Sequence, residues 1–341
     1  MLVLARGATR GWGSASSFAL VGLLGGCPPD PEPEPESAWE VGYELDASQG
    51  ALLSVWGDGP DDVRAVGGQV SAVGDPGVGI VLARDSDDWT PEPLPPDAPL
   101  LNWIHGAEGS VWTVGNAGAA LRLEGGTWIA DNTPVDVPLW GVWVLSATEA
   151  WAVGGDAFDS MGTGVLVHYA NGAWQEVELP ALDRPAPAIF KVWGTSPANM
   201  VAVGDNGVIL HYDGATWVQV PSGTTEDLIS MWGTGPDDIL AVGGRSNGVV
   251  ARFDGSAWTS TTLTIPALNG VWMDADGDAL IVGARGSVSE VLAGEMDAEI
   301  VETPARLDVM HAVFGAGDER FVVGGTLENP PPYTGVILQR R

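Results

Sequence analysis

The chain has 341 residues, with 45 acidic side chains against 14 Lys and Arg and a formal net charge of -31. That balance excludes a nucleic-acid surface and disfavours direct binding to anionic lipid, since both require clustered cations. Its 48 glycines and 16 tryptophans, with only 17% charged residues, argue against a helical bundle and for many short strands joined by tight turns.

In chain order, Arg6 and Arg10 precede the apolar stretch Phe18-Ala-Leu-Val-Gly-Leu-Leu24, followed by Gly25-Gly26-Cys27. This order reads as a secretory signal over residues 1–26. The stretch is shorter than the ~20 apolar residues a spanning helix needs. Leu24-Gly25-Gly26-Cys27 resembles the lipobox of bacterial lipoproteins, which implies a diacylglyceryl group on Cys27, the chain's one cysteine. Residues 27–36 then alternate proline with carboxylates. A polyproline II spacer of that kind extends by ~3.1 Å per residue, about 30 Å in all. The resemblance places the protein in the cell envelope, anchored to a membrane through Cys27 and facing periplasm or exterior, with the outer membrane favoured over the inner.

From about residue 37 to 341 the chain repeats one unit. Leu228-Ile-Ser-Met-Trp-Gly-Thr-Gly-Pro-Asp-Asp-Ile-Leu-Ala-Val-Gly243 and Phe190-Lys-Val-Trp-Gly-Thr-Ser-Pro-Ala-Asn-Met-Val-Ala-Val-Gly204 are its clearest copies. Aligned on the glycine after the apolar pair, the copies fall at Gly67, Gly115, Gly154, Gly204, Gly243, Gly283 and Gly324, with a period of about 43 residues. Each copy predicts four short strands, A to D. Strand A ends at Trp56, Ile104, Trp143, Trp193, Trp232, Trp272 or Phe314, and strand D starts at Trp89, Trp128, Trp174, Trp217, Trp258 or Met296. The seventh copy lacks strand D, and Trp39-Glu-Val supplies a candidate to complete it.

Four antiparallel strands cannot bury their apolar faces alone, and stacking units round a ring protects them. The expected fold is therefore all-β, a seven-bladed β-propeller closed by the N-terminal strand. The Val-Trp-Gly, Ala-Val-Gly and Tyr-Asp-Gly-x-x-Trp segments resemble the WD-repeat/YVTN/BNR-like propeller superfamily. That resemblance implies a fold and little about activity, because these propellers host enzymes, assembly factors and binding scaffolds alike.

The A–B and C–D turns keep nearly constant length, whereas the B–C connections and D–A crossovers vary. In a meander the variable connections share one face, and loops on a rigid scaffold commonly carry function. Blades 7, 1 and 3 have its tallest loops.

Most tryptophans recur at two repeated positions and read as packing. Trp103 and Trp140 lie off those positions and are candidates for a ligand surface, joined by Arg245 and Arg285 in matching B–C loops. Asp274-Ala-Asp276-Gly-Asp278 has alternate carboxylates, but Ala279 and Arg285 replace the glycine and glutamate of a calcium loop. It is a weak calcium candidate that reads better as a hairpin turn. His168 and His211 occupy equivalent strand-C positions. No catalytic motif is found, and Tyr212-Asp-Gly-Ala-Thr-Trp217 only echoes the sialidase box. The expectation is a non-enzymatic, membrane-tethered scaffold without cofactor that binds a protein or envelope glycan through the variable face. The alternative is a glycan-cleaving enzyme, sialidase-like or lyase-type.

Overall fold

A computed structural model describes residues 39–72, 74–301, 308–326 and 332–341. The signal segment, Cys27 and the spacer lie outside the described residues.

Seven four-stranded antiparallel sheets, each a meander in the order A-B-C-D, form seven blades. The A strands of neighbouring blades contact one another all the way round, from blade 1 through blade 7 and back. Strand A therefore lines the axis. Blade 7 takes its outer strand from the N-terminal end: Glu40–Leu45 pairs antiparallel with Thr334–Arg340, Glu40 opposite Gln339 and Leu45 opposite Gly335. Trp39, just before that strand, is buried.

Burial explains the strand sequences. Strand B, covered by blades on both faces, reads as a continuous buried apolar run, as in Asn199–Gly204 (NMVAVG). Strand D has one solvent face and alternates, as in Ala173–Val177, where Trp174 is buried between exposed neighbours. The strand-D tryptophans pack on the preceding blade. Trp174 meets Trp112 edge-on at 5.2 Å, and Trp217 meets Trp151 at 5.4 Å. Such pairs contribute about 0.5–1.5 kcal/mol each beyond the area they bury.

The repeated Val-Gly has a steric cause. In every blade strand A carries a register shift near its start, opposite the strand-B glycine. There the backbones come so close that a Cβ on Gly243 would lie 1.9 Å from the Asp227 carbonyl oxygen, and one on Gly67 2.0 Å from that of Ala51. Only glycine fits.

The ladder corrects one detail of the expected alignment. In blade 2 His105, not Ile104, stands where the other copies place Trp or Phe. It pairs with Trp112 as Trp143 pairs with Trp151, and the blade-2 A–B turn is one residue shorter. In blade 6 strand D is reduced to Glu299–Ile300, with Met296 packed beside the core instead of opening the strand.

Candidate functional site

The two ends of the axial channel differ. At the A–B-turn end the last strand-A side chains converge: Trp56, His105, Trp143, Trp193, Trp232, Trp272 and Phe314. Contacts run between non-neighbouring blades, Trp143 to Trp232 at 5.7 Å and Trp232 to Phe314 at 6.0 Å. An aromatic plug thus fills this end. His105 stacks on Trp143 at 3.8 Å, and its Nδ1 accepts a hydrogen bond from the Val144 N–H. Burial pushes its pKa down to about 3, so it is a neutral ring with Nε2 protonated.

At the other end, below the B–C and D–A connections, lies a polar and aromatic cluster. The side chain of Lys191, in strand A of blade 4, passes over blade 3 at Gly141, where a Cβ would lie 3.4 Å from Lys191 Cδ. Its Nζ donates to the Trp140 carbonyl at 2.9 Å and to that of Phe190 at 3.3 Å, and sits 3.7 Å from the centre of the Trp103 ring. Burial pushes Lys191 down to about 7, while the two carbonyls and the indole face favour its charged form. Across the channel His311 is pushed down to about 4, first by burial and then by the charge on Lys191, and among the described residues its Nε2 has no hydrogen-bond partner.

Closer to the mouth, Trp140 Nε1 donates to the Gly155 carbonyl at 2.8 Å, and the ring meets Phe190 at 6.3 Å. The Arg245 guanidinium lies 5.8 Å from the Phe190 centroid and joins Asp227 and Asp205. Burial raises the Asp205 pKa, opposed by the Ala188 N–H. Arg285 is exposed, at a φ of +60° on the tight B–C turn of blade 6.

The structure therefore gathers Trp103, Trp140 and Arg245 around one channel mouth and leaves Arg285 at its edge. Sequence reasoning missed Lys191. The signal was a lone charge within an apolar strand A, at the place that Ser54, Ser230, Gly141, Gly270 and Ala312 hold in other copies. In the tall blade-3 loop it did not single out Phe158 and Met161, which are 92% and 88% exposed. The blade-1 and blade-7 loops are tied together instead: Gln69 Nε2 donates to the Tyr333 carbonyl at 2.9 Å and its Oε1 accepts from the Tyr333 N–H at 2.8 Å.

The remaining candidates serve turns and blades. Asp274 Oδ1 accepts from the N–H groups of Asp276 and Asp278, both at 3.0 Å, and Asp278 Oδ1 accepts from that of Ala293. Among the described residues no group of three or more His, Cys, Asp or Glu is placed to hold a metal. Asp213 of the box-like segment binds the N–H groups of Ala215 and Thr216. His168 bonds Glu149 and His211 bonds Asn199 at the same ladder position. Among the described residues no helix is long and apolar enough to cross a membrane.

Seven four-stranded blades closed by an N-terminal outer strand give this chain the fold of the WD-repeat-like β-propellers. In particular, it is similar to YCF48 from Cyanidioschyzon merolae, with TM-score 0.64 and 15% identity over 89% of this chain and 99% of that one. A structure of YCF48 bound to D1 peptide gives TM-score 0.63 and 16% identity over 89% and 99%. The WD40 β-propeller domain of Doa1 gives 0.65 and 10% over 88% and 96%. No family model and no curated protein sequence matches the chain.

Proposed function

We propose that this chain is a non-enzymatic binding propeller, held at a bacterial envelope membrane by lipid on Cys27, that takes a protein or envelope glycan through its B–C and D–A face. The observation that carries the reading is the asymmetry of the two faces. One is made of short turns over an aromatic plug; the other has the long connections, the Lys191 cluster and the exposed Phe158 and Met161. The structure of YCF48 with D1 peptide supports it, as a propeller of like fold that holds a peptide.

Hydrolysis draws no support from the carboxylates at the mouth. Asp205 Oδ2 accepts from the Ala188 N–H and Asp227 Oδ1 from the Asn206 N–H, and their other oxygens meet Arg245. A general acid and base need free oxygens aimed at substrate, whereas this pair fastens loops.

The test is retention of lysate proteins and envelope glycans by the chain, compared with variants in which residues 157–162 or 70–77 are shortened. A retained partner lost on shortening supports the reading; equal retention by all forms removes the face from it. Incorporation of labelled fatty acid by the wild type and not by Cys27→Ser tests the anchor.

A further inference from the structure

The blade-3 loop and the crossover that follows the same blade enclose an open groove of about 740 Å³. Its inner end is fixed. The Gly164 N–H donates to the Ala186 carbonyl at 2.7 Å, and Gly155 bridges Ala188. Its lining is mixed, with Val165, Val177, Leu179, Leu182 and Pro185 supplying the apolar part and Glu176, Glu178, Asp183 and Arg184 the charged part. Val177, Leu179 and Leu182 also pack on the buried cluster that contains Trp151 and Ile189, so the floor continues the core between blades 3 and 4.

The outer lip is built by two successive turns. Asp156 Oδ1 accepts from the Phe158 N–H and Asp159 Oδ1 from the Met161 N–H, each at 3.0 Å, and the Gly162 N–H closes on the Asp159 carbonyl at 2.8 Å. Short side-chain caps of this kind hold a loop in one shape. Here the shape presents Phe158 and Met161 to water, Met161 in the lining of the groove and Phe158 three residues before it on the same loop. Large apolar side chains exposed together in this way mark interaction surfaces.

Charge identifies the occupant. Glu176, Glu178 and Asp183 line the groove and are exposed, and Asp156 and Asp159 stand on the lip. Among the described residues none of these five is ion-paired. Among the described residues Arg184 is the one cation in the lining. A groove with an apolar wall at Val177, Leu179 and Leu182 and unpaired carboxylates around it, on a protein of charge -31, attracts and seats a cationic polypeptide with an apolar anchor.

We propose that this groove binds a polypeptide segment presenting a large apolar side chain flanked by Lys or Arg, clamped between Phe158, Met161 and the Leu179–Leu182 wall. This rests on the reading of the variable face as a binding surface and names its partner class.

The test pans a random-peptide phage library on the immobilised full chain and measures enriched peptides by fluorescence anisotropy. Enriched sequences should pair one aromatic or Leu/Met residue with neighbouring Lys or Arg. The double variant Phe158→Ser/Met161→Ser should bind them at least tenfold more weakly, with its melting curve unchanged because both side chains are exposed. Glu176→Lys/Glu178→Lys should reverse the charge preference. Enrichment of sequences without cations, full binding by the Ser/Ser variant, or no enrichment at all would overturn the proposal. Peptides insensitive to the Ser/Ser variant but lost in Arg245→Glu would leave the face reading standing and remove the groove.

Discussion

Lys191 of blade 4 and Trp103 of blade 2 meet across the intervening blade, with 3.7 Å between the ammonium nitrogen and the indole ring centre. Gly141 of blade 3 makes the contact possible, since any side chain there would collide with the Phe190 carbonyl or with Lys191. The only lysine in the chain is thus held inside the channel rather than on the surface, where lysines normally stand.

Such a charge is retained against stability. Lys191 has a folded pKa of about 7, below its ordinary 10.5. Between those values the unfolded chain binds more protons, so stability rises with pH through the window and the full penalty applies below 7. Lys191→Met keeps an apolar stem against Trp103 and removes the charge. It should stabilise the protein by about 1–2 kcal/mol at pH 6, with the gain shrinking towards pH 10. Urea unfolding at pH 6.0 and 9.5 measures both. A variant less stable at both pH values would show that the carbonyls and the indole more than offset the burial.

His105 makes the opposite end acid-sensitive. Its folded pKa of about 3 lies below its ordinary 6.5, so the unfolded chain gains the proton first and stability falls as pH drops below 6.5. Within that window one such histidine contributes a slope of about 1.4 kcal/mol per pH unit. His105→Phe preserves an aromatic ring in the plug but orphans the Val144 N–H, so it should cost about 1–3 kcal/mol at pH 7. Its disadvantage should then shrink as pH falls, a convergence that unfolding at pH 7.0, 5.5 and 4.5 would record. Parallel curves would mean that His105 takes up its proton over the same pH range in the folded and unfolded chain, so that burial does not hold it down.

The glycine after each apolar pair is expected to be intolerant for a steric reason. Gly243→Ala would place a methyl 1.9 Å from the Asp227 carbonyl oxygen and should destabilise by about 3 kcal/mol or more, since backbone on both sides must move. Gly59, whose added Cβ would meet nothing within 4 Å, provides the control. Gly59→Ala should stay within about 0.5 kcal/mol of wild type. Thermal melts of the two variants decide the matter, and equal melting temperatures would refute the close-approach argument.

This glycine also shows why the fold was readable from the sequence. A residue that must be glycine in seven places leaves a fixed mark, and so do tryptophans that always meet the preceding blade. Trp103 and Trp140 could be singled out because they break that register. The Lys191 contact could not be read in the same way. Its carbonyl partner at Trp140, its gap at Gly141 and its indole at Trp103 come from other blades and meet only when the ring closes. His105 was hidden for a local reason: the blade-2 turn is one residue shorter, and an apolar Ile104 fitted the expected pattern better than a histidine. The groove at Phe158 and Met161 depended on two Asp-capped turns, which fix side-chain direction without changing any periodicity.

Ring closure supplies the last prediction. Among the described residues, the strand pairing that joins the N-terminal segment to blade 7 runs from Glu40 to Leu45 against the final strand, and its buried anchor is Trp39, packed with Val313, Val336 and Leu338. The Arg340 guanidinium covers the ring at 5.1 Å. Trp39→Ala should remove about 3–5 kcal/mol, as for other buried large aromatics, and lower the melting temperature by about 10 °C. If the clasp holds the whole ring, the loss should appear as one cooperative transition, with amides of residues 41–45 and 335–339 exchanging together with those of distant blades. Early exchange confined to the clasp, with an unchanged main transition, would instead show that six complete blades and three strands of the seventh hold together without it.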